Sequence, residues 1–325
     1  LARLIFGSKS LNKLVKRRQG LQRVLQAAEG VLLSALWHLA ARLPVEWASA
    51  VGRWLLRLLG PRLDKTRIIR QNLMLAFPRH GEAQREALIR NIWGCLGALL
   101  AEYPHLAEIV EQGDGSRIEL VISPAVEAFH EPRKPVIFVS VHQSNWELSA
   151  AAVAALGVPL SVFYTPLQNP RLDHLVARSR GTLRFGTLPR DASMRTVMRE
   201  LRGGTSIGFV MDQRVDGGQP VPFFGMDKMT TVIPARLALR HGCQLVPVRV
   251  QRTGNVRYRV TLCDPVVPWD DSADESTRAL QMTHQVNTQF EEWIRAHPEE
   301  WVCTKRRWAK NRLAAASVVA QQRAA

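Results

Sequence analysis

A chain of 325 residues that is 46% hydrophobic and 22% charged carries enough apolar material for a sizeable core, which excludes a disordered chain. Its 44 lysines and arginines against 28 acidic residues give a formal charge of +16, so an anionic partner is expected: nucleic acid, a membrane surface or an acidic protein. Cys95, Cys243, Cys263 and Cys303 are scattered, without a C-x-x-C pair, which excludes a disulfide scaffold and points to a reducing compartment.

The first sixty residues read as a basic start followed by two helices. Lys13, Lys16, Arg17 and Arg18 precede Leu21, Leu25, Ala28, Leu32, Leu36, Leu39 and Leu43, whose three- and four-residue steps define one apolar stripe ended by Pro44. Trp47, Val51, Trp54, Leu55, Leu58 and Leu59, interspersed with Arg53 and Arg57, predict a second helix stopped by Gly60-Pro61. Trp37, Trp47 and Trp54 beside arginines suit a bilayer interface, where the ring lies at headgroup depth and the cation meets lipid phosphate. A helical hairpin packed on its own domain is the competing reading. The longest early uncharged run, 30–41, falls well short of the ~20 apolar residues of a membrane span, and neither a transmembrane helix nor a cleavable secretory signal is expected.

Residues 64–110 continue as helix, interrupted at Phe77-Pro78. From Arg117 the period changes. Apolar runs of strand length occur at 117–122, 135–141, 160–164, 182–186, 205–211, 245–250 and 257–263, with helical stretches at 145–156, 170–179, 191–202, 231–241 and 273–296. This alternation predicts an α/β fold, a central mostly parallel or mixed sheet flanked by helices. The organisation expected is a basic amphipathic region over 1–60, a single α/β domain over 61–312 and a tail over 313–325.

Phosphate-loop, serine-elbow, dinucleotide and H-E-x-x-H signatures are absent from the sequence. One segment stands apart. The strand 135–141 runs directly into His142-Gln143-Ser144-Asn145-Trp146-Glu147, which opens an alanine-rich helix. Ligands collect at the carboxyl ends of strands in open α/β sheets, so His142 is a candidate general base, and Glu147 in the first helical turn could fold back to orient it. Ser144 and Glu147 equally fit an S-x-x-E capping box, which leaves His142 a polar strand end.

His142-x-x-x-x-Glu147 after an apolar strand resembles the H-x4-D/E motif of the glycerolipid acyltransferase superfamily. The surrounding chain resembles one branch of it, the lipid A biosynthesis lauroyl/myristoyl acyltransferase family. Matching pieces occur in order: Arg70-Gln71-Asn72-Leu73, Ala76-Phe77-Pro78, Ala101-Glu102-Tyr103-Pro104-His105, Met211-Asp212-Gln213, Val221-Pro222-Phe223-Phe224-Gly225, Val246-Pro247-Val248, His297-Pro298-Glu299-Glu300-Trp301 and Lys305-Arg306-Arg307-Trp308. The resemblance implies a glycerolipid acyltransferase-like fold and transfer of a fatty acyl group from an acyl carrier protein or CoA thioester to a hydroxyl of a lipid A precursor. No further cofactor and no metal are implied. It also implies placement at the cytoplasmic face of the inner membrane, with acyl carrier protein, the lipid acceptor and the anionic membrane surface as partners.

By the same resemblance, an arginine after the third core strand holds the oxyanion or substrate, and Arg190 is the position matched to it, with Arg178, Arg180 and Arg195 competing. Asn145 is a further candidate for substrate contact. Asp212, at a strand's carboxyl end, suits contact with His142 or with substrate, or turn formation with Gly217-Gly218. The run 305–308 and Arg236, Arg240, Arg249 and Arg252 are suited to phosphate groups, to an acidic carrier protein or to a solvated face. Two rival functions remain at this level: the same chemistry on a lysophospholipid, glycolipid or amino-acid lipid, and a non-catalytic nucleic-acid or membrane binder, although no nucleic-acid-binding module is recognisable.

Overall fold

The computed structural model describes residues 19–111, 113, 115–126, 134–167 and 169–309. Lys13, Lys16, Arg17, Arg18 and the tail 313–325 lie outside the described residues. Five helices come first: α1 (Gln19–Ala40), α2 (Val45–Leu59), α3 (Thr66–Ala76), α4 (Glu82–Glu102) and α5 (Leu106–Val110). Pro44, which has no amide hydrogen, separates the first two, as the stripes predict.

Helix α2 docks on α4 through facing glycines. A Cβ on Gly52 would sit 2.4 Å from the Gly97 carbonyl oxygen, and one on Gly97 only 2.1 Å from that of Gly52, so no side chain is tolerated at this crossing. Docking buries Val45, Ala48 and Ser49 and leaves Trp47 and Trp54 outward, 68% and 64% exposed. The third tryptophan of the expected interfacial group turns inward instead, with the Trp37 ring centroid 5.9 Å from that of Tyr103. No helix among the described residues is long and apolar enough to cross a membrane.

Strands and helices then alternate: β1 (Ile118–Ile122), β2 (Val136–Ser140), α6 (Glu147–Ala155), β3 (Leu160–Tyr164), α7 (Pro170–Gly181), β4 (Gly186–Pro189), α8 (Met194–Arg202), β5 (Ser206–Val210), β6 (Gln219–Phe223), β7 (Met226–Thr230), α9 (Ile233–His241), β8 (Gln244–Gly254), β9 (Arg257–Leu262) and α10 (Glu275–Ala296). Seven strands form one mixed sheet in the order β1-β9-β8-β2-β5-β3-β4. The five from β8 to β4 are parallel, β9 runs antiparallel to β8, and β1 is parallel to β9.

Strand β2 is buried along its whole length, which is why it reads as an unbroken apolar run. Its residues alternate between two cores, as a two-residue period requires. Ile137 and Val139 pack with Leu237, Phe290 and Trp301 on one face, whereas Val136 and Phe138 pack with Leu148, Ala152 and Tyr258 on the other.

Two expectations are corrected. The apolar run at 182–186 is mostly a turn after α7 that buries Leu183, and the strand begins at Gly186. The hairpin β6–β7 has no counterpart among the expected strands, because Pro220 and Pro222 argue against a strand. Both prolines are exposed, and lying two residues apart they put their missing donors on one edge while β7 pairs along the other.

Candidate active site

The pairing of β2 with β5 creates the site. Ser140 lies opposite Val210, and the Met211 amide donates to the Ser140 carbonyl at 3.1 Å. The residues two beyond each strand end, His142 and Asp212, therefore meet at the carboxyl rim of the sheet. His142 Nδ1 lies 2.5 Å from Asp212 Oδ1. The His142 side chain keeps 18% exposure while Asp212 is fully buried, so one flank of the imidazole is open to a ligand and the other is fixed.

Two cations and a tryptophan hold Asp212. Arg307 Nε donates to Oδ2 at 2.9 Å and its Nη2 donates to the same oxygen, Trp301 Nε1 donates to Oδ2 at 3.1 Å, and Lys228 Nζ reaches the main-chain carbonyl at 3.1 Å. Burial pushes the Asp212 carboxyl up, but Arg307, then His142 and Lys228, outweigh it and hold the group well below the usual carboxylate range. Burial pushes the fully enclosed Lys228 down to about 7. Oδ1 is thus ionised and reserved for the imidazole.

The second imidazole nitrogen is also occupied. Gln213 Nε2 lies 2.9 Å from His142 Nε2, and Lys305 Nζ donates to Gln213 Oε1 at 3.1 Å. A lysine ammonium has donors only, so the amide oxygen must face Lys305 and the amide N–H must face the histidine. His142 Nε2 therefore carries the lone pair, and Nδ1 carries the hydrogen shared with Asp212.

The loop bearing His142 is locked from behind. Val302 N–H donates to the His142 carbonyl at 2.8 Å, Ser144 N–H donates to the Glu300 carbonyl at 3.0 Å, and Gln143 Nε2 donates to the Trp293 and His297 carbonyls at 3.0 and 3.2 Å. These bonds hold Ser144 at φ 51°, a left-handed conformation that non-glycine residues seldom adopt. That conformation prevents the capping box: α6 begins at Glu147 with no side-chain cap bond. Asn72 pins the carboxy-terminal strap, donating to the Cys303 and Lys305 carbonyls at 2.8 Å each and accepting the Arg307 amide at 3.1 Å.

Glu147, expected to orient His142, is engaged elsewhere. Its carboxylate accepts the Tyr103 hydroxyl at 2.8 Å and a forked pair from Arg180, 2.8 Å from Nε and 2.5 Å from Nη2. Burial pushes the Arg180 guanidinium down, but the Glu147 carboxylate more than offsets it and the net shift is upward. The carboxylate on the imidazole comes instead from a neighbouring strand 70 residues away. Asn145, expected near substrate, is 0% exposed, and its amide donates at 3.1 Å to Glu102. Glu102 also takes Ser49 Oγ at 2.6 Å, Tyr258 Oη at 2.5 Å and Arg252 Nη2 at 2.7 Å, so Asn145 anchors the loop rather than lining the site.

Arg190 is exposed in a cavity of about 620 Å³ shared with Tyr164, Pro166, Thr187, Leu188 and Pro189, at the carboxyl ends of β3 and β4. Of its competitors, Arg180 is committed to Glu147, while Arg178 and Arg195 are exposed. The basic run 305–308 proves not to be uniformly solvated: Arg307 and Trp308 are buried and only Lys305 is exposed. Arg252 is likewise an interior partner of Glu102, and Arg240 pairs with Glu275 at 2.8 Å. Sequence reasoning assigned no role to Lys228, Gln213, Tyr103 or Glu102; the ordered motifs that contain three of them were the available signal. Among the described residues, no group of three or more His, Cys, Asp or Glu could hold a metal ion.

Comparison with known proteins assigns the chain to a family. The family model for bacterial lipid A biosynthesis acyltransferase matches residues 16–310. A lipid A biosynthesis acyltransferase of Haemophilus influenzae is 22% identical over 267 residues, covering 80% of each chain. A lipid A biosynthesis palmitoleoyltransferase of Escherichia coli is 24% identical over 74% of this chain and 78% of its own, and a lipid A biosynthesis myristoyltransferase of that organism is 23% identical over 71% of each. A match running from the start of α1 to the strap that carries Arg307 takes in every element that builds the His142–Asp212 pair, and the chain belongs to the bacterial lipid A biosynthesis acyltransferase family.

Proposed function

We propose that this acyltransferase moves a fatty acyl group from a carrier thioester, on acyl carrier protein or CoA, to a hydroxyl of a lipid A precursor, with His142 as general base. The observation that carries the reading is the lone pair on His142 Nε2, presented at the rim while Nδ1 is held 2.5 Å from an ionised, fully buried Asp212. His142 Nε2 takes the hydroxyl proton as the oxygen attacks the thioester carbonyl. The tetrahedral oxyanion collapses, the C–S bond breaks, and the departing thiolate recovers the proton from Nε2–H. General-base help of this kind contributes about 10²–10⁴-fold. Glu147, with Arg180 and Tyr103, fixes the start of α6 and acts as a positioning residue.

Arg190 suits an anionic part of either substrate. It lies close enough to Lys305 that burial, with Arg190, Arg307 and Lys65, pushes that lysine down, so cations gather around the lysine that holds Gln213, where phosphate or carboxylate would be welcome. The cavity it lines falls within the roughly 300–1,000 Å³ usual for small-molecule sites.

The exposed faces of α1 and α2 support attachment to a membrane surface. Val24, Val31, Leu32, Leu36 and Leu39 on the first and Trp47, Val51, Trp54, Leu58 and Leu59 on the second are exposed, with Arg23, Arg42 and Arg57 exposed among them. Apolar residues and aromatics beside cations suit shallow insertion into an anionic leaflet. Mass spectrometry of membrane lipids from cells expressing the protein or its His142→Ala variant tests the chemistry. The added acyl mass on lipid A is expected to vanish with the imidazole, and its persistence near the normal level would defeat the proposal.

A further inference from the structure

The arrangement of Gln213 goes further than the base itself. Its amide is bound at both ends: the oxygen by Lys305 Nζ at 3.1 Å, the N–H by His142 Nε2 at 2.9 Å. In this resting arrangement Gln213 stands where the acceptor hydroxyl must stand, because the lone pair of Nε2 accepts one donor at a time. An arriving hydroxyl displaces the amide N–H from that nitrogen. The displaced amide keeps its oxygen on Lys305, so the N–H remains at the rim, one hydrogen-bond length from the reacting atoms, with no acceptor of its own. The group that gains acceptor strength at this moment is the thioester carbonyl oxygen, which becomes an oxyanion as the hydroxyl oxygen bonds to its carbon.

Resting on the general-base reading above, we propose that Gln213 is a catalytic residue that exchanges His142 Nε2 for the tetrahedral oxyanion, and that Lys305 is the positioning residue that keeps its amide turned the right way. Charge supports the division of labour. Lys305 lies among cations, with Arg190, Arg307 and Lys65 near enough to join burial in pushing it down, so the amide oxygen is its neutral partner, and Gln213 relays that positive field toward the oxyanion. No atom is gained or lost in the exchange. The acceptor proton passes to His142 Nε2 and then to the thiolate, and Gln213 returns to the imidazole when the ester product leaves.

Steady-state kinetics of the purified full chain, with an acyl carrier thioester and a lipid A precursor in detergent, test the proposal against His142→Ala and Lys305→Arg. Gln213→Leu removes the donor without changing length greatly, and kcat is expected to fall about 10²–10³-fold, the usual effect of deleting one oxyanion donor. Gln213→Glu keeps the bond to Lys305 but sets a carboxylate against the imidazole. It should lower kcat and move the acid limb of the pH profile to higher pH, since an adjacent negative charge favours the protonated ring. Lys305→Met should lower kcat with little change in KM, and Lys305→Arg should restore much of it. A raised KM at unchanged kcat for Lys305→Met would mean that Lys305 binds substrate charge, and would overturn its positioning role.

If Gln213→Leu keeps kcat within threefold while His142→Ala is inactive, the oxyanion role falls and the general base stands. If His142→Ala itself turns over, the underlying reading falls first. Should Gln213→Leu fail to fold, Gln213→Glu decides by the same two readouts, and an unmoved acid limb with normal kcat refutes the exchange.

Discussion

Replacing Asp212 by asparagine probes the site more sharply than truncation, because the structure dictates how the new amide must lie. Oδ2 accepts from Arg307 Nε, Arg307 Nη2 and Trp301 Nε1, all of which can only donate. The amide oxygen of Asp212→Asn must take that side, which turns its N–H toward His142 Nδ1. The ring can then bond only as an acceptor there, with its hydrogen moved to Nε2, where it faces the Gln213 amide and offers no lone pair to a substrate hydroxyl. Restoring the productive tautomer leaves a donor facing a donor, so one hydrogen bond goes unmade and two donors are stranded at about 1–3 kcal/mol each, about 2–6 kcal/mol together. At about 1.4 kcal/mol per decade, that is a loss of about 30- to 10⁴-fold in kcat. The assay is acyl transfer by the purified variant beside ¹⁵N NMR of the histidine ring. The variant should show the hydrogen on Nε2 where the parent has it on Nδ1. Turnover within threefold of the parent, or a ring still protonated on Nδ1, would refute the argument.

Glu147→Gln should behave differently, since its carboxylate touches Arg180 and Tyr103 rather than the imidazole: with Arg180 left at 16% exposure, unfolding free energy should drop by about 3 kcal/mol, the low end for stranding a buried charge, while the acid limb of the pH profile stays in place. Denaturant titration measures the first, and a shifted acid limb would return Glu147 to the histidine. Glu300 gives a pH test. Burial raises its carboxyl to about 7, so the folded state holds a proton that the unfolded chain releases near 4.5, and this contribution to stability is present below pH 4.5 and lost as pH rises through 7. Glu300→Gln removes the dependence, and thermal melts should show the variant gaining on the parent by about 3 kcal/mol between pH 4.5 and 8; a constant difference across that range would contradict it. Trp47→Ser and Trp54→Ser should each weaken co-sedimentation with anionic vesicles by about tenfold, the equivalent of burying roughly 50–60 Å² of each exposed ring, and unchanged sedimentation of the double variant would remove α2 from the membrane contact.

The sheet was legible because its central strands are buried on both faces and so leave continuous apolar runs, of which β2 is the clearest. The hairpin β6–β7 was not, since prolines that count against a strand are harmless on the unpaired edge of a two-stranded ribbon. His142 stood out as a polar residue directly after an apolar strand. Its partner Asp212 was legible as a candidate at a strand end, with contact to His142, contact to substrate and turn formation left open: the H-x4-E spacing suggests a local pair, whereas the contact that forms depends on Ser140 standing opposite Val210, and register between strands 70 residues apart leaves no mark on either segment alone. Arg307 was hidden in a run of cations that reads as a wet surface. Asn72 takes up the main chain at Cys303, Lys305 and Arg307 itself, and the guanidinium lies over the Trp301 ring, 5.6 Å from its centroid, which turns one member of the run inward.

The burial of Arg307 decides what kind of help Asp212 can give. Arg307 meets Oδ2 of its carboxylate with its charge, and Lys228 adds a second cation behind the main-chain carbonyl. Both cations oppose the charge of Asp212, while its directional hydrogen bond to the imidazole remains. Asp212 is therefore left with orientation: it fixes which nitrogen carries the hydrogen and where the lone pair points. Glu147 shows the same economy on the far side of the loop, where Arg180 cancels its charge and the fork fixes the first turn of α6. A site built this way places its base by geometry, with the lone pair of Nε2 aimed at the rim, where the proton taken from an acceptor hydroxyl can be handed on to the leaving thiolate.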